Sequence, residues 1–289
     1  MAKKTETLSE TLKILTWNID ARVEEREERL ETITRMIKVE QPDVVCLQEV
    51  WSGAGSSLAE KTGMFLASES NLPNNKFGNA ILIKYDLTLT NRANTVEFNK
   101  TGENFKKSNL LSIVVESKSG RKWNIMTSHL AWGGRSESSR VSQVTEVERI
   151  SVSKETRHLK EDFVQVFTGD FNATPASDCL RYLKGLTGSD RGAFWLDAWE
   201  LSGDESSGYT STPENPMVVS IAKKFNNITR TDLLPKRRID FIMIRGWRYG
   251  APGYPLASKL IGTPDSLLKG ESVPSDHYGV LSELWDPSI

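Results

Sequence analysis

Cysteine is nearly absent from this 289-residue chain: Cys46 and Cys179 are the only two, too few for a disulfide framework at this length. Histidine is almost as scarce, with three residues and no short-range Cys/His cluster, which argues against a zinc centre. No apolar run is long enough to span a bilayer, and the opening residues MAKKTETLSE lack the apolar core of a secretory leader. A reducing, cytoplasmic setting without stable membrane insertion is therefore expected. Neither sign of charge dominates: 37 Lys+Arg against 38 Asp+Glu leaves a net charge of -1. The overall basic excess common in phosphate-tracking nucleic-acid binders is missing, and only local patches can fill that role. Repeats, low-complexity linkers and shifts in composition are also missing. One domain over residues 11–286 behind a tail of residues 1–10 is expected, and no protein partner is implied.

What is present is globular: 38% hydrophobic, 26% charged and 8% aromatic residues, enough for a sizeable core. Short apolar runs at 12–17, 43–50, 65–68, 80–85, 110–116, 123–130, 163–168, 238–244 and 279–285 read as strands. Helical spacing appears at 22–39, where Leu30, Ile33, Met36 and Ile37 share a face. It returns at 136–160 through Val141, Val144 and Val147, and briefly at 178–184. Residues 203–216 and 223–237 read as polar surface loops, and 249–256 as an apolar, aromatic loop. The pattern predicts an α/β fold with helices covering packed sheets.

Polar residues collect where strands end. The run FVQVF leads into Thr168-Gly169-Asp170, where glycine permits a tight turn, and Asn172 follows. Asn18 and Asp20 follow the first strand, Glu49 ends the second, and Asp240 sits in RRIDF. Ser128-His129 and Ser275-Asp276-His277 add two of the three histidines. Ligands in α/β folds commonly sit beyond strand C-termini. Each residue also has a structural alternative: Asn18 as a helix cap, Asp20 beside a helix N-terminus, His129 as a hydrogen-bonded core residue, Asp276 in a turn beside Pro274. His158, between Arg157 and Lys160 in a helical pattern, reads as surface. Several carboxylates and amides at one rim would suit a hard divalent cation such as Mg²⁺, with Mn²⁺ as a substitute.

Seven segments, TWNID (16–20), LQEV (47–50), FGNAIL (77–82), SHL (128–130), GDFNATP (169–175), RRIDF (237–241) and SDHYGV (275–280), occur in one order across nearly the whole chain. In this the sequence resembles the endonuclease/exonuclease/phosphatase superfamily, which includes deoxyribonuclease I, abasic-site endonucleases, tyrosyl-DNA phosphodiesterase 2 and neutral sphingomyelinases. The resemblance implies a deoxyribonuclease I-like four-layered sandwich, two packed mixed β-sheets flanked by helices, and Mg²⁺-dependent phosphoester hydrolysis. It implies Glu49 as principal metal ligand, with Asn18, Asp20 and Asp276 completing the surroundings. Asp170 would orient or deprotonate the attacking water, and Asn172 would hold the phosphate. His277, oriented by Asp240, would meet the phosphoryl oxygens, and His129 would be a second phosphate contact or an acid for the leaving group. The chain departs from the pattern at Ala21-Arg22, where abasic-site endonucleases and tyrosyl-DNA phosphodiesterases usually carry a glycine. It departs again at Phe171, where the latter carry threonine.

Arg135, Arg140 and Gln143 would lie near the phosphate, and Trp132 either stacks on a base or lipid head group or packs at a loop–helix junction. The expected substrate is a phosphoester of nucleic acid or a nucleotide-like end. Lys106-Lys107, Arg121-Lys122, Lys223-Lys224 and Lys236-Arg237-Arg238 are candidates for a phosphate track, Arg237 and Arg238 foremost because they adjoin Asp240. The alternatives are a phospholipid or inositol-phosphate phosphoesterase and an inactive binding module on the same fold.

Overall fold

The computed structural model describes residues 11–71, 77–100, 108–157, 163–187, 194–246 and 250–289. The tail of residues 1–10, Lys106, Lys107, His158 and Tyr249 lie outside the described residues. In chain order the elements are β1 (Thr11–Asn18), α1 (Arg26–Glu40), β2 (Val44–Trp51), α2 (Ala54–Thr62), β3 (Phe65–Asn71), β4 (Phe77–Ile83), β5 (Thr88–Glu97), β6 (Asn109–Glu116) and β7 (Lys122–His129). There follow α3 (Glu137–Arg157), β8 (Phe163–Asp170), α4 (Asp178–Leu183), β9 (Trp195–Asp197), α5 (Ala198–Ser202), α6 (Pro216–Asn226), β10 (Asp240–Arg245), β11 (Pro255–Ile261) and β12 (Gly279–Trp285).

The strands form two six-stranded sheets, ordered β11-β12-β1-β2-β4-β3 and β5-β6-β7-β8-β10-β9. Each sheet holds one parallel pair, β1 with β2 and β7 with β8, while its other pairs are antiparallel. The parallel pairs are those joined through a helix, α1 and α3, as a crossover requires. Two mixed sheets with flanking helices make the deoxyribonuclease I-like α/β sandwich.

Period-two alternation assigns each side chain its layer. Leu12 and Ile14, Val44 and Cys46, Trp123 and Ile125, Val164 and Val166, and Ile242 and Ile244 meet between the sheets. Leu15, Trp17, Val45 and Leu47 face outward and pack with Leu30, Ile33, Ile37 and Leu58 of α1 and α2. Met126, Phe167, Phe171 and Phe241 do the same on the other sheet with Val144, Val147, Cys179 and Leu180 of α3 and α4. Continued toward one edge, the inward rows change chemistry. Thr16, Gln48, Thr127 and Thr168 come next, all fully buried, with Gln48 Nε2 donating to Thr127 Oγ1 at 2.9 Å across the sheets and to Thr16 Oγ1 at 3.1 Å. One step further stand Asn18, His129, Asp170 and Asp240.

Several local expectations are corrected. Thr168-Gly169-Asp170 is not a turn, because β8 continues through Asp170. Gly169 has φ 134°, and a Cβ there would come within 2.0 Å of Ser128 O, so glycine serves close strand approach. Helix α1 begins at Arg26 rather than near residue 22, because Asp20 Oδ1 accepts the backbone N–H of Arg22 and holds residues 20–22 in a turn. Part of the 203–216 and 223–237 loops belongs to α6, started by Asn215, whose Oδ1 accepts Met217 N, with Pro216 in its first turn. The 249–256 loop gives way to edge strand β11, with Pro255 buried and Tyr254 packed on the core.

Candidate active site at the shared rim of the sheets

The C-terminal ends of both parallel pairs and the N-terminal end of β10 open on the same rim. Asp170 is its centre. Register places Asp170 beside Asp240 on β10 and His129 on β7. Its Oδ2 accepts from Asn18 Nδ2 at 3.0 Å and lies 3.3 Å from His129 Nε2 and 3.8 Å from His277 Nε2. Its Oδ1 accepts from the backbone N–H of Asn172 at 2.8 Å. Asn18 therefore spans the two sheets, since the same Nδ2 also donates to Glu49 Oε1 at 3.1 Å.

Glu49 reaches this position through an irregularity in β2. The register with β4 shifts between Leu47 and Val50, and Glu49 takes a left-handed conformation with φ 55°. Its Oε2 accepts the backbone N–H of Ala21 at 3.0 Å. Asp20 and Asn172 are also left-handed, with φ 56° and 51°. Such residues cost about 1–3 kcal/mol each and tend to gather at functional sites.

The loop before β12 completes the rim. Ser275 Oγ donates to Asn18 O at 2.6 Å, Trp17 Nε1 donates to His277 O at 2.9 Å, and Asn215 Nδ2 donates to Ser275 O at 2.8 Å. So fixed, His277 sets Nδ1 2.9 Å from Asp240 Oδ2 and turns Nε2 toward Asp170. Burial alone would lower the His277 pKa, but the charges of Asp240, Asp170 and Asp276 outweigh it and hold the imidazole well above its ordinary value. Asp276 is pushed up to about 6, first by burial and then by the charges of Asp20 and Glu49, against the pull of His277 and Arg22.

Asp170, Asp240 and His277 offer atoms within 4.8 Å of one another, a spacing a metal can use. In that trio His277 Nδ1 is already taken up by Asp240, 2.9 Å away. Glu49 and Asp276 also present half-buried carboxylates, and the Glu49 charge adds to the burial that raises the Asp276 pKa. An oxygen-only set of this kind fits Mg²⁺.

The remaining candidates divide. Asp20 does not present an open carboxylate: Arg22 grips it through Nε at 2.7 Å and Nη2 at 2.6 Å, and buried Arg29 adds Nη1 at 3.0 Å. Asn172 commits one amide N–H to Leu130 O at 3.1 Å, tying its loop to the end of β7. Arg140 is turned into the protein, where its buried guanidinium holds Ala131 O, Gly133 O and Glu137. Gln143, also fully buried, binds Ala131 N and Lys100 O. Arg238 is engaged by the fold: it is 5% exposed, it meets both Asp197 oxygens at 2.9 and 2.8 Å, and it lies over the Phe241 ring. Lys122 begins β7 while His129 ends it, roughly 23 Å away at strand rise, and Arg121, just before the strand, is buried beside Asp286. Arg135, Arg237, Lys223, Lys224 and Trp132 remain exposed. Arg29 carries no sequence expectation, and Ser275 is expected only as a polar neighbour of Asp276 and His277. Ser275 stood in the SDHY segment, and the signal for Arg29 was an arginine interrupting the apolar face of a helix.

The profile of the endonuclease/exonuclease/phosphatase family matches residues 15–277. No curated protein matches. Among solved structures, TDP2 of D. rerio complexed with single strand DNA product is similar, with 23% identity, a TM-score of 0.71, and coverage of 95% of this chain and 98% of that one. Truncated TDP2 of Caenorhabditis elegans has 19% identity, a TM-score of 0.70 and coverage of 95% and 97%. The human Nocturnin catalytic domain with bound sulfate has 20% identity, a TM-score of 0.64 and coverage of 95% and 93%. The matched span takes in every rim residue from Asn18 to His277, and the chain belongs to the endonuclease/exonuclease/phosphatase family.

Proposed function

We propose that this chain is a Mg²⁺-dependent phosphodiesterase acting on nucleic acid, with nucleic-acid ends, 5′-tyrosyl ends among them, as its substrate class. The observation that carries this reading is the position of Asp170, held by Asn18 from the Glu49 side and flanked by His129 and the His277–Asp240 pair on the other. Phosphoryl transfer needs a placed water and neutralised charge more than covalent help. Asp170 supplies a carboxylate to orient the water and take its proton. His277, kept charged by its acidic neighbours, donates to a phosphoryl oxygen, and Asp240 fixes the ring. His129, 3.3 Å from Asp170, serves the phosphate or the leaving oxygen. Glu49 and Asp276 would hold Mg²⁺, which neutralises phosphoryl charge when bound. Exposed Lys223, Lys224, Arg135, Lys236 and Arg237 are candidate cations to meet a polyanion.

The phospholipid reading rests on Phe225, 60% exposed beside Lys223 and Lys224 on α6. No helix among the described residues is long and apolar enough to cross a membrane. A substrate panel with Mg²⁺ separates the readings: plasmid DNA, an abasic duplex, a 5′-phosphotyrosyl oligonucleotide, sphingomyelin vesicles and inositol phosphates, with Asp170→Asn as control. Turnover of an oligonucleotide that the control lacks supports the proposal. Turnover confined to vesicles moves it to lipid, and no turnover with Mg²⁺ or Mn²⁺ leaves a binding module.

A further inference from the structure

Arg22, in the Ala21-Arg22 pair that replaces the family's usual glycine, stands at the acidic face where the metal is proposed to sit. Its backbone is pinned: its N–H donates to Asp20 Oδ1 at 3.2 Å, and its carbonyl accepts from Arg26 and from Arg29. Its side chain is 27% exposed, with the fork on Asp20 and Nη2 3.7 Å from Asp276 Oδ1. The Glu49 charge also acts on it. Arg29 contrasts with it, having a side chain 2% exposed and saturated by Asp20, Ile19 O, Asp20 O and Glu24 O. One of the two cations on Asp20 is therefore built in, and the other can leave.

There is room for it to leave. A cavity of about 310 Å³ opens beside Asp20 and Arg22, toward α6, lined by exposed Glu24, Glu25 and Lys224 and by buried Arg29. A guanidinium turned into that cavity meets Glu24 and Glu25, with Lys224 opposing them, so its charge is answered in part there.

We infer that Arg22 is a tethered cation that competes with the divalent ion for the Asp20–Asp276–Glu49 carboxylates, so that ion binding and outward movement of Arg22 are one exchange. This rests on the phosphodiesterase reading for the metal, and on this chain's own geometry for the competitor. With Arg22 inward, Asp20 is doubly paired and Asp276 partly screened. With Arg22 outward, Asp20 loses both bonds of the fork and keeps only Arg29 on Oδ2 and the Arg22 backbone N–H on Oδ1, and the ion meets a more negative face. The consequence is a weakened affinity for divalent ions, set by one side chain.

The test is calorimetric titration of the whole chain with Mn²⁺ and with Mg²⁺, without substrate. Arg22→Gln removes the charge and is expected to tighten binding about tenfold, as loss of a like charge a few ångströms away implies. Arg22→Lys keeps a charge without the fork and is expected to fall between. Melting curves with and without Mg²⁺ guard against a folding defect: the ion should raise the melting temperature of Arg22→Gln by more than that of the wild type. Equal or weaker ion binding by Arg22→Gln, while Glu49→Gln loses binding, overturns the inference and leaves the metal reading standing. Absence of an isotherm in the wild type and both variants overturns the two together.

Discussion

The two sheets bring different electrostatics to one rim. On the first, Glu49, Asp20 and Asp276 crowd together, and arginines relieve the repulsion. On the second, Asp170 and Asp240 are relieved by imidazoles, one of them kept charged. The same excess of carboxylates is thus answered by fixed charges on one side and by groups that can gain or lose a proton on the other. Arginine cannot give up its proton in the working pH range, so the first side can only exchange whole cations. Histidine can, so the second side suits proton movement. Asn18 and the loop carrying Ser275 and His277 stitch the halves together through single hydrogen bonds.

If that division is real, the two sides break separately. Asp170→Asn preserves the shape but removes the proton acceptor, and turnover is expected to fall about 10²–10⁴-fold. Calorimetric Mg²⁺ affinity should stay within about twofold of wild type, since Asp170 lies on the proton side. A matched loss of ion binding would merge the two sides into one metal cage. Glu49→Gln is expected to weaken ion binding by about 10–100-fold or more, with turnover partly restored by high Mn²⁺. Turnover lost without any change in ion affinity would move Glu49 to the proton side.

The division was only partly legible in the sequence. The central strands and their polar tips could be read because buried strands are short apolar runs and because Asn18, Glu49, His129, Asp170 and Asp240 each follow or open one. Which strands pair, and so which tips meet, depends on register over long separations, and only the family resemblance supplied it. Edge strands β5 and β11 escaped because Thr88–Glu97 is polar and broken by two register shifts, and Pro255–Ile261 opens with proline at a bulge. Helix α6 escaped because its apolar residues are mostly half-buried, although Asn215-Pro216 was a readable start. Arginine misled most. Arg140 and Arg238 read as phosphate contacts by proximity in sequence, but strand and helix geometry turns both into the protein.

The third way to break the comparison is through pH. His277 owes its raised pKa, against the cost of burial, first to Asp240. The pair therefore stabilises the fold fully below the ordinary histidine value of 6.5, and that contribution is lost as pH rises through the higher folded-state value. Turnover that needs the imidazolium falls over the same alkaline range. Asp240→Asn removes the holding charge, so the alkaline limb of the pH–rate profile should move down by about one unit or more. An unmoved limb would show that the charge on His277 does not serve the reaction.

The smallest functional effect is expected at Arg238, which separates a cation that serves the rim from one that serves the core. Its side chain is 5% exposed and that of Asp197 1%, so Arg238→Met leaves a buried carboxylate without its partner and should cost about 3–5 kcal/mol of stability. Below the melting transition, kcat and KM should stay within about twofold of wild type, since no bond from Arg238 reaches a rim residue. Asp197 also caps α5 by accepting Trp199 N at 3.1 Å. Adding Asp197→Asn keeps that cap and removes the stranded charge, so the double variant should recover much of the lost stability. A raised KM in Arg238→Met that the second substitution leaves in place would mean that Arg238 reaches substrate after all. Recovery of stability with KM unchanged throughout would place its charge in the fold.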